Sequence, residues 1–164
     1  MEKPCKAKTP ELPRRAKGFL VNAELRLTPD NKGIGVFTCE FILANTRIDD
    51  PHLIYFDEQE TLKLLASLPN DEARRDWLDH AFGDDGKVAV HNTHLDDGGM
   101  VNHSDDPSLA TNNDDGYSYS TRDIQIGEEL TEDYRTYDHV PFFEYLCEKY
   151  GAIDWFLNNS KESI

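Results

Sequence analysis

Three short segments carry residues that could bind a ligand and act on it. Gly33-Ile34-Gly35 places two glycines one residue apart, which lets a ligand come close to the backbone N–H and C=O groups. The Asn102-His103-Ser104 turn supplies polar side chains ahead of Pro107, and a segment that begins with a turn at Gly127 ends on Tyr134. Taken singly, these segments are also typical of a plain turn, an Asn/Ser-stabilised loop and a surface hairpin with a packed aromatic.

Other kinds of site fit the sequence poorly. The glycine pair lacks the third glycine and the following helix of a dinucleotide-binding fingerprint. Three Asp-Asp-Gly triplets, at 84–86, 96–98 and 114–116, lack the ligand spacing of a calcium loop, so we interpret them as turns. The histidines at 91, 94 and 103 form no helical metal motif, and the three distant cysteines offer neither a disulfide framework nor a zinc knot. The sequence therefore predicts no metal site.

The order of the three segments is similar to that of the SET-domain family of protein lysine methyltransferases. That family has a GxG segment, then a segment of the type R-F-x-N-H-S-C-x-P-N, then G-E-E-L-T-x-D-Y about two dozen residues later. This chain supplies the two more specific motifs as Val101-Asn102-His103-Ser104-Asp105-Asp106-Pro107-Ser108 and Gly127-Glu128-Glu129-Leu130-Thr131-Glu132-Asp133-Tyr134. The resemblance extends from about Phe19 to Tyr137.

The resemblance implies an activity and gives roles to individual residues. The chain would transfer methyl from S-adenosylmethionine to the ε-amine of a lysine in a basic protein, with histones as one candidate, and would form S-adenosylhomocysteine without a metal. Tyr134 would be the catalytic tyrosine, and Glu129 would support the knot-like crossing of chain segments rather than act as a base. Five residues would hold the cofactor: Gly33, Ile34, Gly35, Asn102 and His103.

Two other functions stay open on the residues alone. A catalytically inactive SET-type module that binds basic peptides or histones would keep the fold, because a fold does not guarantee chemistry. An acidic histone-binding protein would need only the charge, and it would leave the three ordered motifs unexplained. We favour the enzyme, because a pure binder has no chemical need for Tyr134 beside a methyl donor.

The sequence departs from the family pattern at several positions. Asp105 stands where the family usually has a cysteine of a zinc site, and the Cys-rich tail that completes that site is missing too, which implies a zinc-free variant. Glu132 replaces an aromatic residue that tunes the number of methyl groups added. Its carboxylate could face the lysine channel or point to solvent, and we favour solvent. The other candidate residues of the substrate channel are Tyr137, Phe142 and Phe143.

The elements that must position these residues are mostly short strands. Apolar patterning predicts strands near 19–27, 36–37, 41–43, 87–91 and 117–121, and a further apolar piece covers 53–56. Asp57 and Asn70 are typical N-cap residues and predict a helical pair inserted at about 57–86, with the second helix ending at Gly83. The sequence therefore predicts a mainly β protein with a few helices (α+β), which the resemblance makes a SET-type fold of several small curved sheets with a knot-like crossing.

Composition divides the chain into three parts. Residues 1–17 are basic and proline-rich, and we expect a flexible arm. Residues 18–138 would form the SET-type catalytic domain. Residues 139–164 hold an aromatic segment with helical spacing up to Gly151, which could close the channel as a helical lid or simply pack on the core.

Charge and hydropathy favour some partners over others. The chain has 17 Lys and Arg against 32 Asp and Glu, a net charge of -15, which disfavours direct binding of nucleic acid and suits a Lys-containing basic protein or peptide. No apolar run is long enough to cross a membrane, and residues 1–17 lack the apolar stretch of a secretory signal. We expect an intracellular protein, nuclear or cytoplasmic, without a membrane partner. The sequence predicts no oligomeric state.

Overall fold

The computed structural model describes residues 11–29 and 33–153, which form three small sheets and three helices. The strands are β1 (Arg14–Arg15), β2 (Ala23–Leu27), β3 (Ile34–Thr38), β4 (Leu53–Phe56), β5 (Ala81–Asp84), β6 (Lys87–His91), β7 (Asn102–His103), β8 (Leu109–Thr111), β9 (Ser118–Ser120) and β10 (Glu129–Glu132). The helices are α1 (Glu58–Ser67), α2 (Asp71–Asp79) and α3 (Pro141–Tyr150). The predicted α+β class is confirmed. Within the described ranges, no helix is long and apolar enough to cross a membrane.

The largest sheet has the order β1-β2-β3-β10-β7 and brings the three sequence motifs together. β2 and β3 form an antiparallel hairpin in which Leu25 lies opposite Val36, and both side chains are buried. β10 pairs antiparallel with β3 and parallel with β7. The strand that follows Gly127 therefore lies between the strand of the glycine segment and the Asn102–His103 strand.

The second sheet, with the order β4-β6-β5, holds the inserted segment. β5 and β6 form a hairpin whose two turn residues, Asp85 and Gly86, both have positive φ, at 48° and 73°, as a tight two-residue turn requires. The two helices of the insert precede this hairpin. The predicted N-caps are confirmed, because the Asp57 and Asn70 side chains accept hydrogen bonds from the backbone N–H groups of Glu60 and Ala73.

Gly83 does not end the second helix as predicted. α2 ends at Asp79, and Gly83 lies inside β5, where its carbonyl accepts a hydrogen bond from the N–H of Asp138 at 3.2 Å. A side chain at this position would overlap the Asp138 carbonyl and lie 2.9 Å from the Val140 side chain. Gly83 is therefore required for close packing against a later part of the chain.

Two apolar clusters form the core. The first lies under the five-stranded sheet, and the second joins the three helices through Leu65, Leu78, Leu146 and Cys147. Phe142 and Phe143 pack against this second cluster. α3 is thus a core-packing helix. The aromatic residues Trp155 and Phe156, predicted to belong to a lid, lie outside the described residues.

Three other expectations differ from the structure. Part of the predicted flexible arm is held in place: β1 pairs with β2, and the Arg14 guanidinium forms an ion pair with Asp97 at 2.8 Å, whereas residues 1–10 lie outside the described ranges. No strand forms over 41–43, where Ile42 makes only a single bridge to Ile124. The triplet at 96–98 does not form the predicted turn: Asp96 and Asp97 are 2% and 5% exposed, and Gly98 begins a short 3-10 helix, Gly98–Met100.

Candidate active site

Asn102 connects the three motifs at the centre of the site. Its amide nitrogen donates to the Ile34 carbonyl at 3.2 Å and to the Glu129 carboxylate at 2.7 Å. Both partners are acceptors, which fixes the orientation of the amide. The carboxamide oxygen of Asn102 has no hydrogen-bond partner among the described residues. The site therefore presents a half-buried acceptor beside the glycine segment.

The two glycines of the first motif have different surroundings. A side chain at Gly35 would overlap the Glu129 carboxylate and lie 3.1 Å from the Asn102 amide nitrogen, so Gly35 makes room for these two groups. Gly33 has a φ of +114°, and no atom of the described residues lies within 4 Å of the place where its Cβ would be. The open approach to the backbone is therefore at Gly33, whereas Gly35 faces the Asn102–Glu129 pair.

Tyr134 is held at both ends by the Asn-His motif. Its backbone N–H donates to Nδ1 of His103 at 3.2 Å, and its hydroxyl donates to the Val101 carbonyl in a short hydrogen bond. Burial raises the pKa of Tyr134 well above its usual value, and the negative charges of Glu132 and Glu129 raise it further. The hydroxyl is therefore protonated at neutral pH and can orient a reacting group, but it does not act as a base.

Tyr134 belongs to a row of five adjacent rings, here called the ring row. Its members are His103, Tyr134, Tyr137, Phe82 and His91, with successive centroids 5.5, 5.5, 4.8 and 5.7 Å apart. Sequence reasoning missed Phe82 and His91 as site residues. The β5-β6 hairpin brings both of them to the motifs, and only the tertiary position of that hairpin reveals it.

Two cavities meet along the ring row. The small cavity, of about 70 Å³, is lined by Tyr134, Tyr137, Phe82 and His91 among others, and Phe143 also faces it. A larger groove, of about 760 Å³, shares Tyr137, Phe82 and His91 with the small cavity. Neither cavity is lined by the five predicted cofactor residues or by Phe142. The ring row therefore extends from His103, one of the predicted cofactor residues, to His91, which lines both cavities.

The larger groove is acidic, and we call it the acidic groove. Among the described residues that line it, six are carboxylates and none is Lys or Arg. The six are Asp49, Asp84, Asp115, Glu132, Asp133 and Asp138. Such a lining attracts cationic side chains and repels phosphate groups.

Glu132 does not point to solvent as expected. Its carboxylate accepts hydrogen bonds from the Tyr137 hydroxyl at 2.8 Å and from the Ser118 hydroxyl at 2.9 Å, and it lines the acidic groove. The Ser118 N–H donates to Asp49 at 2.9 Å. Burial raises the pKa of Asp49 to about 6, and the Glu132 charge adds to this effect. Two neighbouring carboxylates thus lie at the floor of the groove beside the ring row.

No group of three or more His, Cys, Asp or Glu side chains within the described ranges is arranged to hold a metal ion. His103 lies between Asp105 and Asp133, with its ring nitrogens 3.3 and 3.8 Å from their carboxylates, and Asp133 also pairs with Arg135. These contacts connect the Asn-His motif to the segment that carries Tyr134. They position the ring row.

Comparison with known proteins identifies the family. The model of the SET domain matches residues 33–135, more than half of the chain, and this span includes all three motifs. The chain is also similar to a crystal structure of a candidate histone methyltransferase from Plasmodium falciparum, with 21% identity, a TM-score of 0.48, and coverage of 72% of this chain and 93% of that chain. A search of curated proteins found no match. The chain belongs to the SET-domain family, whose members are in general methyltransferases.

Proposed function

We propose that this protein transfers methyl from S-adenosylmethionine to the ε-amine of a lysine in a basic protein. The observation that carries the proposal is the acidic groove, which reaches the ring row next to Tyr134. A lysine side chain has a cationic end on an apolar stem, so it suits a passage lined by carboxylates and aromatic rings.

The residues around Asn102 and the glycine segment fit the methyl donor. The free carboxamide oxygen of Asn102 can accept a hydrogen bond from an ammonium group, and the open backbone at Gly33 lets a ligand approach closely. Ile34 and His103 adjoin these two positions, and Gly35 acts indirectly by making room for Glu129. S-adenosylmethionine would supply an electrophilic methyl group and be converted to S-adenosylhomocysteine.

The residues of the ring row prepare the lysine amine to attack the methyl group. Only the neutral amine is a nucleophile, and aromatic rings, unlike the carboxylates of the groove, disfavour the charged form and so lower the pKa of a lysine that reaches them. The protonated Tyr134 hydroxyl, fixed on the Val101 carbonyl, orients the amine. Tyr137 stacks on Tyr134 and donates a hydrogen bond to Glu132, so it restricts the entry of water. Positioning and desolvation thus account for the expected rate.

The charge of the molecule defines the class of substrate. With a net charge of -15 and an acidic groove, the protein attracts basic segments over the Debye length of about 8 Å at physiological salt. Histone tails are the first candidates, and other basic proteins are the second.

The first experiment measures transfer of labelled methyl to core histones and to a lysate of basic proteins, with mass spectrometry to identify the modified residue. Tyr134→Phe removes the orienting hydroxyl with little loss of packing, and we expect the rate to fall by about 100-fold or more with an intact fold. Tyr145→Phe is the matched control, because Tyr145 is 62% exposed and lines neither cavity. We expect this control to transfer methyl at the wild-type rate.

The outcomes separate the candidate functions. Label on lysine that depends on Tyr134 supports the proposal. Equal rates in the Tyr134→Phe and Tyr145→Phe variants would refute the role given to Tyr134. Binding of S-adenosylmethionine by calorimetry without any label would favour an inactive peptide-binding module, and absence of both would favour an acidic histone binder.

A further inference from the structure

His91 forms a buried pair with Asp96 at the edge of the ring row. Nδ1 of His91 lies 2.7 Å from Oδ2 of Asp96, which is 2% exposed and also accepts from the N–H groups of His52 at 2.8 Å and Gly98 at 2.6 Å. Burial opposes ionisation of Asp96, but the hydrogen bonds from His91 and the two backbone N–H groups hold its pKa below the usual value. Asp96 is therefore a carboxylate, and it accepts the hydrogen bond from the Nδ1–H of His91.

The second nitrogen of His91 is free to act as an acceptor. Nε2 has no partner among the described residues, and the ring lines both the small cavity and the acidic groove. Gly98 makes this position possible, because a Cβ there would lie 2.6 Å from Nδ1 of His91. With a volume of about 70 Å³, the small cavity has room for water beside His91.

We infer that Nε2 of His91 accepts a proton from the ε-ammonium group of the substrate lysine, and that Asp96 is the positioning residue for this step. The inference rests on the proposed function. The N–H bond of the ammonium breaks and an N–H bond forms on Nε2, directly or through one water, which leaves a neutral amine with a lone pair for attack on the methyl carbon. The imidazolium, stabilised by Asp96, then releases its proton to solvent through the open groove.

The other titratable groups around His91 do not compete for this role. Tyr134 and Tyr137 have pKa values raised by burial and are donors, and the Glu132 carboxylate is bonded to Tyr137 and Ser118. Tyr55 on β4 and Asp84 on β5 are hydrogen-bonded to each other at 2.7 Å. The small cavity is also lined by Asp79 at the end of α2, by His80 directly after it, and by Glu144 on α3. Among these groups, Asp96 is the one that contacts the His91 ring.

Kinetics of His91→Gln test the inference. With core histones as substrate, we expect kcat at about pH 7.5 to fall about 100-fold, with little change in KM, because the lysine must then lose its proton to water. Raising the pH toward about 10, near the pKa of a free lysine, is expected to restore most of the rate. His94→Gln is the matched control, since His94 is exposed and lines neither cavity. An unchanged kcat, or an equal loss at every pH, would overturn the inference.

A second measurement does not depend on turnover. NMR of histidine labelled with ¹³C at Cε1 follows the protonation of His91 as pH is varied, with the peptide Gly-Arg-Lys-Arg-Gly bound or with its norleucine counterpart. We expect the titration of His91 to change with the lysine peptide and not with the norleucine peptide. A response without methyl transfer would support the His91 contact while refuting the proposed function. No response to the lysine peptide would overturn the inference, whether or not methyl transfer is observed.

Discussion

At the scale of single residues, two of the carboxylates that line the acidic groove, Asp49 and Glu132, are partly buried and hydrogen-bonded. The hydroxyls of Tyr137 and Ser118 both donate to Glu132, and the Ser118 backbone donates to Asp49. The two carboxylates thus share one serine, and burial with the Glu132 charge raises the pKa of Asp49 to about 6. At neutral pH Asp49 is therefore mostly ionised beside Glu132, and a lysine ammonium that enters the groove would stabilise its charge.

Asp49→Asn is expected to stabilise the fold at neutral pH. Because burial places the folded-state pKa of Asp49, about 6, above its unfolded value, the buried charge destabilises the fold as pH rises through 6 and costs nothing below about 4. Asparagine keeps the acceptor for the Ser118 N–H without the charge. We expect a gain of about 2 kcal/mol in the free energy of unfolding at about pH 8, measured with urea, which disappears near pH 4.

The neighbouring Asp50→Asn is the control for this titration. The Asp50 side chain is 55% exposed and pairs with Arg47 at the surface, so its loss should change stability by less than about 0.5 kcal/mol. If Asp49→Asn gave the same gain at low and neutral pH, its charge would not be the cause.

At the scale of elements, the helical insert supports the hairpin that carries Phe82 and His91. α1 contacts β4 and β6, and α2 packs against β5 and α3. Asp57 starts α1 with a capping box, in which its side chain accepts from the Glu60 N–H and the Glu60 side chain accepts from the Asp57 N–H. One local hydrogen-bond motif thus contributes to the position of two rings in the ring row.

Removing the cap should weaken the whole domain. Asp57→Ala leaves the Glu60 N–H without its partner, and we expect the free energy of unfolding to fall by about 1 kcal/mol in urea titrations. Asp57→Asn keeps an acceptor at the same place and is expected to lose about half as much or less. Equal losses in the two variants would mean that the hydrogen bond to Glu60 is not what stabilises α1.

The elements that could be predicted from the sequence are those marked by residues within the element itself. The two N-caps and the strand over Lys87–His91 follow from residue type and spacing alone, and the structure has all three. The prediction that Gly83 ends a helix was wrong, because the missing side chain of Gly83 instead allows close contact with Asp138. The prediction for the triplet at 96–98 was wrong for a similar reason. Its two aspartates are buried, and they form an ion pair and a hydrogen bond with residues distant in sequence.

At the scale of the whole molecule, the motifs identified the family and the candidate tyrosine, but not the groove. The pattern around Tyr134 is contiguous in sequence, so it could be found without a structure. Phe82 and His91 lie on the insert, and the carboxylates of the acidic groove come from 49, 84, 115 and 132–138. Only folding brings such scattered residues to one cavity, and this limits how much of the site a sequence can predict.

The net charge of -15 and the charge of the acidic groove have separable effects on a basic substrate. We therefore compare two triple variants with the same net charge of the protein. The first, Asp84→Asn with Asp115→Asn and Asp138→Asn, removes three carboxylates from the groove. The second, Glu72→Gln with Asp76→Asn and Glu148→Gln, removes three exposed carboxylates from α2 and α3 that line neither cavity.

Binding of a fluorescent Gly-Arg-Lys-Arg-Gly peptide, measured by anisotropy, separates the two effects. Each groove carboxylate near a cation is worth about 0.5 kcal/mol, so the first variant should bind about tenfold more weakly at about 50 mM salt. The second should change affinity by less than about twofold, because its charges are farther from the peptide and are screened. Raising the salt to about 300 mM should reduce the difference between the variants. Equal weakening in both variants at low salt would mean that overall charge, and not the acidic groove, attracts the substrate.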